Sequence, residues 1–396
     1  MNKILYAASS DPTDVEVWAG LNHHIYFALK NVFPVVEAFG PLAKPVSFVN
    51  RAQMSLTERL TKKHLIWSHR VDDAKRMGRL IDQKVAEGTY DAVFAPSTPT
   101  VSYVTADVPV FAYHDATIKG LVKHYGSVNH VFGPSLREAV YVESKAIARC
   151  DRIFYTSEWA CDCAIRDYGL SPDKVCFVPF GANLPSSHAL NLEQAISARS
   201  RQVLKLLFLG KDWERKGGDV AVSVAQVLVG MGIQTELHLL GTELPARHAD
   251  KLFIVQHGYI SKSTPKGLAM IQDLIVSCHF LLLPTRAECY GLVFCEASAL
   301  GVPSIATKTG GVTSAVRDDV NGFTFGLDAS PRAYADKIYE LFMDNGKYRA
   351  LAKSSFARYK SELNWESCAT HLKQEMMLAA EERKRKSLQE RTSVLV

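Results

Sequence analysis

HFLLLPTRAECYGLVFCEASALG, residues 279–301, decides the fold class. Its apolar run has the length of a buried strand and ends at Pro284 and Thr285; Gly291 permits a sharp turn; from Leu292 the apolar spacing is helical. Strand, turn and helix in immediate succession form the repeating unit of a parallel sheet flanked by helices. Across the turn and into the helix stand two glutamates, Glu288 and Glu296, with seven residues between them.

The same alternation runs outward in both directions. In the first half the apolar runs are KILYAA (3–8), AVFAPS (92–97), VFAYHD (110–115), RIFYTS (152–157) and VCFVPFG (175–181). After the polar stretch 184–202 they resume as LKLLFLG (204–210), QTELHLLG (234–241), IVQHGYI (254–260), HFLLLPT (279–285) and PSIATK (303–308). This predicts an α/β chain of two doubly wound, Rossmann-like domains, residues 1–190 and residues 200–364, followed by a helix and charged tail over 365–396.

Composition agrees with a globular protein. The chain has 396 residues, enough for two or three domains, and is 47% hydrophobic and 22% charged. No run reaches the roughly 20 apolar residues of a membrane helix, and the start MNKILYAASS turns polar too soon for a secretory signal. The expected location is therefore the cytoplasm. A net charge of +5 lacks the concentrated basic face of a nucleic-acid binder, so no nucleic-acid partner is expected. Basic residues do gather between Arg51 and Lys84, with Leu60, His64, Leu65 and Trp67 among them. That stretch reads either as a solvated helical face or as peripheral contact with an anionic membrane surface. Eight cysteines are scattered without paired C-x-x-C spacing, and no strand end carries D-x-D, so no metal ligands are expected.

In open α/β sheets ligands gather at the carboxyl ends of the strands, so the residues that follow each run carry the chemistry. After LKLLFLG comes KDWERKGG, which brings Lys211, Arg215 and Lys216 to a glycine-rich turn through Gly210, Gly217 and Gly218. After HFLLLPT, the backbone N–H groups of Tyr290, Gly291 and Leu292 precede or open a helix, where free amides and the helix dipole favour a phosphate. Carboxylates on either side of a diphosphate site are suited to hold sugar hydroxyls. A lone pair of glutamates at this spacing is common on any helix, and it is the surrounding turns that give this one weight.

In that context the stretch PTRAECYGLVFCEASALGVPSIATKTGGV resembles the E-x7-E block of the retaining GT-B glycosyltransferases of family 4. GKDWERKGG is similar to their basic glycine loop, with Lys211 where arginine is usual. VFAYHDATIKGL is similar to the segment with their active-site histidine, here His114. DVEVWAGLNHHIYFALK is similar to their glycine-bearing loop, here Gly20, and SEWACDCAIRDYGLSPDKVCFVPFGANL to the end of their first domain. The likeness runs from about residue 3 to 375.

The resemblance implies two facing domains with a cleft between them and a C-terminal helix crossing back, pinned by Trp365. It implies that Glu296 holds ribose hydroxyls, Lys211 and Lys216 the diphosphate, and Glu288 the transferred sugar. His114 would stand at the reacting face, and Gly20 would let a loop close over the donor. The implied reaction moves a sugar from a UDP- or GDP-sugar to a saccharide or lipid-linked acceptor hydroxyl with retention, in polysaccharide or glycoconjugate synthesis, with no cofactor or metal. The alternatives are a nucleotide-sugar epimerase, an inverting transferase, or a catalytically silent nucleotide-sugar-binding protein. A dinucleotide oxidoreductase is disfavoured because no G-x-G-x-x-G follows a strand.

Overall fold

A computed structural model describes residues 1–126, 130–184 and 191–393. The chain forms two compact units, Met1–Val178 with Cys368–Val396, and Pro179–Ser367. The division falls ahead of the polar stretch in which the sequence reading sets it, and residues 185–190 of that stretch lie outside the described residues. The reason is local: Ala182 N donates to Leu363 O at 3.0 Å and Trp365 Nε1 to Asn183 Oδ1 at 3.1 Å, which ties residues 182–183 to the end of the second unit.

The first unit holds one six-stranded sheet: β1 (Lys3–Ala7), β2 (Val35–Phe39), β3 (Ala92–Ala95), β4 (Val110–His114), β5 (Arg152–Tyr155) and β6 (Val175–Phe177). The order is β2-β1-β3-β4-β5-β6, with every pairing parallel. All of β3 and β5 is buried, which is why they read as continuous apolar runs rather than as alternations. Chain order reverses between β1 and β3.

The second unit repeats the plan with β7 (Leu204–Leu209), β8 (Thr235–Leu240), β9 (Ile254–Gln256), β10 (Phe280–Leu283), β11 (Ser304–Thr307) and β12 (Gly322–Phe325). Their order is β12-β11-β10-β7-β8-β9, again all parallel. Here the order reverses between β7 and β10, so the loops after those two strands flank the crevice where such sheets take their ligands.

Two strands escape a reading of apolar runs, β2 and β12, and both are sheet edges. Each has only one strand neighbour, and their burial is partial, so no unbroken apolar run marks them.

The last helix, Trp365–Ser393, packs on the first unit through Cys368, Leu372, Met376 and Ala379, all buried. Lys373 Nζ donates to Val32 O at 2.7 Å. Trp365 at its start sets its ring 5.7 Å from that of Phe180. Among the described residues no helix is long and apolar enough to cross a membrane.

Candidate active site

In the second unit, the loop after β7 turns at Gly210 into a short helix, Trp213–Lys216, which Asp212 caps by accepting from Arg215 N at 3.1 Å. Gly217 then takes φ 77°, a left-handed conformation that ordinary residues resist. A Cβ there would lie 2.0 Å from Pro284 O, so only glycine lets this loop meet the end of β10. Gly210 is in contact with the Lys216 stem and Gly218 with the Trp213 ring. The neighbours these glycines admit are the protein's own atoms. Their effect is to fix where Lys216 emerges.

Lys216 is buried, and its Nζ donates to Glu288 Oε2. Arg215 approaches the same oxygen at 3.6 Å and also donates from Nη1 to Ala287 O at 3.1 Å. The loop from Thr285 to Gly291 is further held by Arg286 N on Arg215 O at 2.7 Å and by Gly311 N on Glu288 O at 3.1 Å. Glu288 is thereby presented on a stiff loop at the carboxyl end of β10, facing the cation delivered from β7.

Gly291, at φ 91°, opens the helix Leu292–Ala299 with no side-chain cap. Among the described residues no acceptor takes the N–H of Gly291 or of Leu292. Those two amides are therefore available at the positive end of a helix. The Tyr290 side chain turns inward instead: its hydroxyl donates to Phe180 O at 3.1 Å and receives Cys295 Sγ at 3.3 Å. Burial pushes the Cys295 thiol up to about 12. Cys295 is part of the packing that anchors this turn.

Glu296 is 1% exposed. One carboxylate oxygen, Oε1, accepts from Lys262 Nζ; the other, Oε2, is buried without a hydrogen-bond partner. A buried, half-satisfied carboxylate is costly, and such strain concentrates where a ligand completes the bonding. Sequence reasoning missed Lys262. It lies in the loop that follows β9, so the same strand-end rule applied to IVQHGYI would have found it. Lys211 takes a different place: its Nζ sits 4.9 Å from the centre of the Tyr259 ring.

In the first unit His114 ends β4. Its Nδ1 lies 3.0 Å from Ala116 O and 3.0 Å from Asp115 Oδ1. Thr117, not Asp115, caps the next helix, accepting from Gly120 N at 3.0 Å. Asp115 thus orients the histidine. Nε2 has no partner among the described residues. Burial alone lowers the imidazole pKa, but Asp115 and the more distant Glu143 outweigh it and hold it above its ordinary value.

Glu143, also missed in the sequence, sits behind this loop. It is 1% exposed, with Oε2 accepting from Ile118 N at 2.9 Å and from the Tyr168 hydroxyl. Burial pushes its carboxyl up to about 7 against the pull of Tyr168, Ile118, His114 and Lys119.

Gly20 has φ 80° and follows two left-handed residues, Trp18 (φ 50°) and Ala19 (φ 54°). Such backbone is strained and clusters at functional loops. It lays the Trp18 ring on His114, centroids 5.1 Å apart and nearly parallel. Asn22, just beyond, locks the loop to the end of β1 by accepting from the Tyr6 hydroxyl at 2.7 Å and donating to Ser10 Oγ at 3.1 Å.

A family model described as glycosyl transferases group 1 matches residues 204–344. D-inositol 3-phosphate glycosyltransferase of Streptomyces coelicolor is 26% identical over 264 residues, covering 60% of this chain and 57% of that protein. The Thermobifida fusca protein of the same name is 27% identical over 252 residues, covering 59% and 56%. The chain therefore spans little more than half the length of these curated relatives.

Among solved structures, sucrose-phosphate synthase of Thermosynechococcus elongatus superposes with TM-score 0.62 at 16% identity, covering 94% of this chain and 98% of that one. Anabaena HepE, solved with UDP-glucose, superposes with TM-score 0.59 at 16% identity, covering 94% and 99%. These two share the fold. The glycosyl transferases group 1 model thus matches the stretch that holds strands β7 to β12, and these two solved structures share the chain's two-domain α/β fold, GT-B.

Proposed function

We propose that the chain is a retaining, metal-independent glycosyltransferase that moves a sugar from a nucleoside-diphosphate sugar, UDP- or GDP-linked, to an acceptor hydroxyl in glycoconjugate or polysaccharide synthesis in the cytoplasm. The observation that carries this reading is the half-bonded, buried carboxylate of Glu296 on the helix whose N-terminal amides are unclaimed.

A diol's two O–H donors suit Glu296, with Lys262 swinging aside from its exposed position. The diphosphate would lie on the Gly291 and Leu292 amides and on Lys216, with Lys211 moving from Tyr259 to join it, and Glu288 would be released to the donor sugar. In the transfer the bond from the anomeric carbon to the diphosphate oxygen breaks and a bond from that carbon to the acceptor oxygen forms. By the family resemblance the acceptor attacks from the face the leaving group departs, and its proton passes to the leaving phosphate. Ammonium groups and amides preset around the growing negative charge are the main source of rate. His114, oriented by Asp115 and covered by Trp18, would face the sugar, and Gly20 would supply the hinge.

The relatives' name makes small phosphorylated polyols the first acceptors to assay. A thermal-shift panel of UDP, GDP, ADP and their sugars, followed by NMR of the anomeric product, tests the reading: an inverted product or an epimerised donor would replace it with a rival, and no response to any nucleotide would remove it.

A second observation supports peripheral membrane contact. The helix Phe48–Thr61 buries none of its residues, and Phe48, Val49, Leu56 and Leu60 are 86%, 74%, 57% and 75% exposed. Arg51, Arg59 and Lys62 flank them. Lys62, at φ 58°, ends this helix, so Leu65 and Trp67 do not continue its face as the sequence spacing suggests. The next helix, Val71–Glu87, buries Ala74, Met77 and Ile81 in the ordinary way. The lipid-facing surface would thus be the first helix alone, its apolar residues entering the headgroup layer and its cations meeting anionic lipid.

A further inference from the structure

Cys176 lies in β6, the edge strand of the first sheet, while His371 and Glu375 stand one turn apart on the helix Trp365–Ser393. The cysteine sulfur, an imidazole nitrogen and a carboxylate oxygen lie within 4.8 Å of one another, and all three residues are partly buried. Among the described residues this is the one group of three such donors so closely gathered. None of the residues given a part in sugar transfer belongs to it.

We infer that Cys176, His371 and Glu375 form a binding site for a zinc-class divalent cation that clamps the last helix to the edge of the first sheet. The donor set is the first reason. Thiolate, imidazole and carboxylate together suit zinc, which takes Cys, His and Glu at about 2.0–2.3 Å. Around a tetrahedral ion such donors stand roughly 3.3–3.8 Å apart, by the geometry of those bond lengths. Small side-chain rotations bring three atoms already within 4.8 Å to that spacing. The i, i+4 placement of His371 and Glu375 on one helical face is a spacing through which helices hold zinc.

The surroundings are the second reason. His371 makes no hydrogen bond or ion pair among the described residues, although it is partly buried. Glu375 is engaged through Oε2 by Arg152, but Arg152 has a second carboxylate, Glu382, which accepts from its Nη2 at 3.0 Å. Glu375 can therefore turn to a metal without leaving Arg152 unpaired. Charge closes as well: a thiolate, two carboxylates, one guanidinium and a divalent ion sum to zero. The thiol gives up its proton to solvent as the metal binds, so one proton leaves per ion. A fourth position remains for water. Because the ligands come from distant parts of the chain, no linear motif announces them.

The test uses the full chain, stripped with a chelator and titrated with Co2+ as a spectroscopic probe and then with Zn2+. The expected result is a thiolate-to-cobalt charge-transfer band with the visible bands of a four-coordinate ion, saturating at one equivalent and erased by Zn2+. Cys176→Ser should abolish the charge-transfer band, and His371→Ala should weaken binding at least about tenfold. Cys163→Ser, at a buried thiol outside the group, should change neither. Zn2+ should also raise the melting temperature of the natural chain and not of His371→Ala. Since His371 makes no hydrogen bond or ion pair among the described residues, that variant should melt normally without metal, which separates lost binding from lost folding. A band that survives Cys176→Ser, saturation well beyond one equivalent, or no band at all would overturn the inference and leave the group as a plain ionic clamp through Arg152.

Discussion

Lys216 Nζ rests on the carboxylate of Glu288, the two delivered from the carboxyl ends of the neighbouring strands β7 and β10. Both side chains are about nine-tenths buried, 10% and 12% exposed. A buried pair of this kind is costly to break from one side only, because the remaining charge is stranded. It holds the lysine in register for the diphosphate proposed to take it over.

Lys216→Ala should cut kcat by about 10²–10³, the loss typical of one preset donor to a growing anion. Because Glu288 then loses its partner, a stability loss is expected too, and Lys216→Ala with Glu288→Gln should recover the melting temperature without recovering turnover. Steady-state kinetics and thermal melts on both proteins check this. Unchanged turnover in the single variant would remove Lys216 from the reaction.

Glu296→Gln should weaken nucleotide binding by about 10–100-fold, since hydrogen bonds to a charged group are worth about 1.5–3 kcal/mol. The same change relieves a buried anionic oxygen that has no partner, so its melting temperature should hold or rise. Titration calorimetry with UDP and GDP, paired with thermal melts, reads both halves. Natural affinity in the variant would deny Glu296 its place on the ribose.

Stability near His114 should depend on pH through Glu143. Its folded value, raised from 4.5 to about 7, means the folded chain holds the proton more tightly than the unfolded one. The contribution is complete below about pH 4.5 and is lost as pH climbs through about 7, at a slope of at most about 1.4 kcal/mol per pH unit. His114, Lys119, Tyr155 and Tyr168 face this carboxyl. Glu143→Gln keeps an acceptor for Ile118 N–H and carries no charge, so it should flatten the melting temperature between pH 5 and 8 relative to the natural chain. Parallel slopes in the two proteins would contradict the assignment. His69 and His279, held below the ordinary histidine value by burial, titrate in the opposite sense but equally in both.

Flotation with phosphatidylglycerol vesicles should carry the chain upward, and neutral phosphatidylcholine vesicles should not. Leu56→Glu with Leu60→Glu, both on an exposed helix that buries nothing, should abolish flotation with the melting temperature unchanged. Equal flotation on both lipids, or an indifferent variant, would eliminate the membrane reading.

Most of the sheet order's raw material was legible because central strands buried on both faces must be apolar throughout, as β3, β5 and β10 are. Edge strands β2 and β12 were not, since one strand neighbour and partial burial leave a mixed sequence. In the candidate site, the residues legible in the sequence lie within one strand-to-helix turn: Glu288, Gly291 and Glu296 share a single local unit, and Lys216 belongs to a second. Partners fixed by long-range folding were not. Lys262 reaches Glu296 from the loop after an edge strand, Glu143 reaches the His114 loop from a helix, and Trp18 covers His114 through a left-handed backbone that composition does not reveal. The glycines after β7 were found correctly as loop-formers, but what approaches them is Pro284, Trp213 and the Lys216 stem.

The most direct measurement is a crystal structure of the chain with a nucleoside diphosphate, UDP first and GDP beside it. The pyrophosphate is expected on the N–H groups of Gly291 and Leu292, with Lys216 turned from Glu288 to its oxygens and the ribose hydroxyls on Glu296. A nucleotide lodged away from the β7 and β10 loops, or bound with the Lys216–Glu288 and Lys262–Glu296 pairs intact, would contradict it.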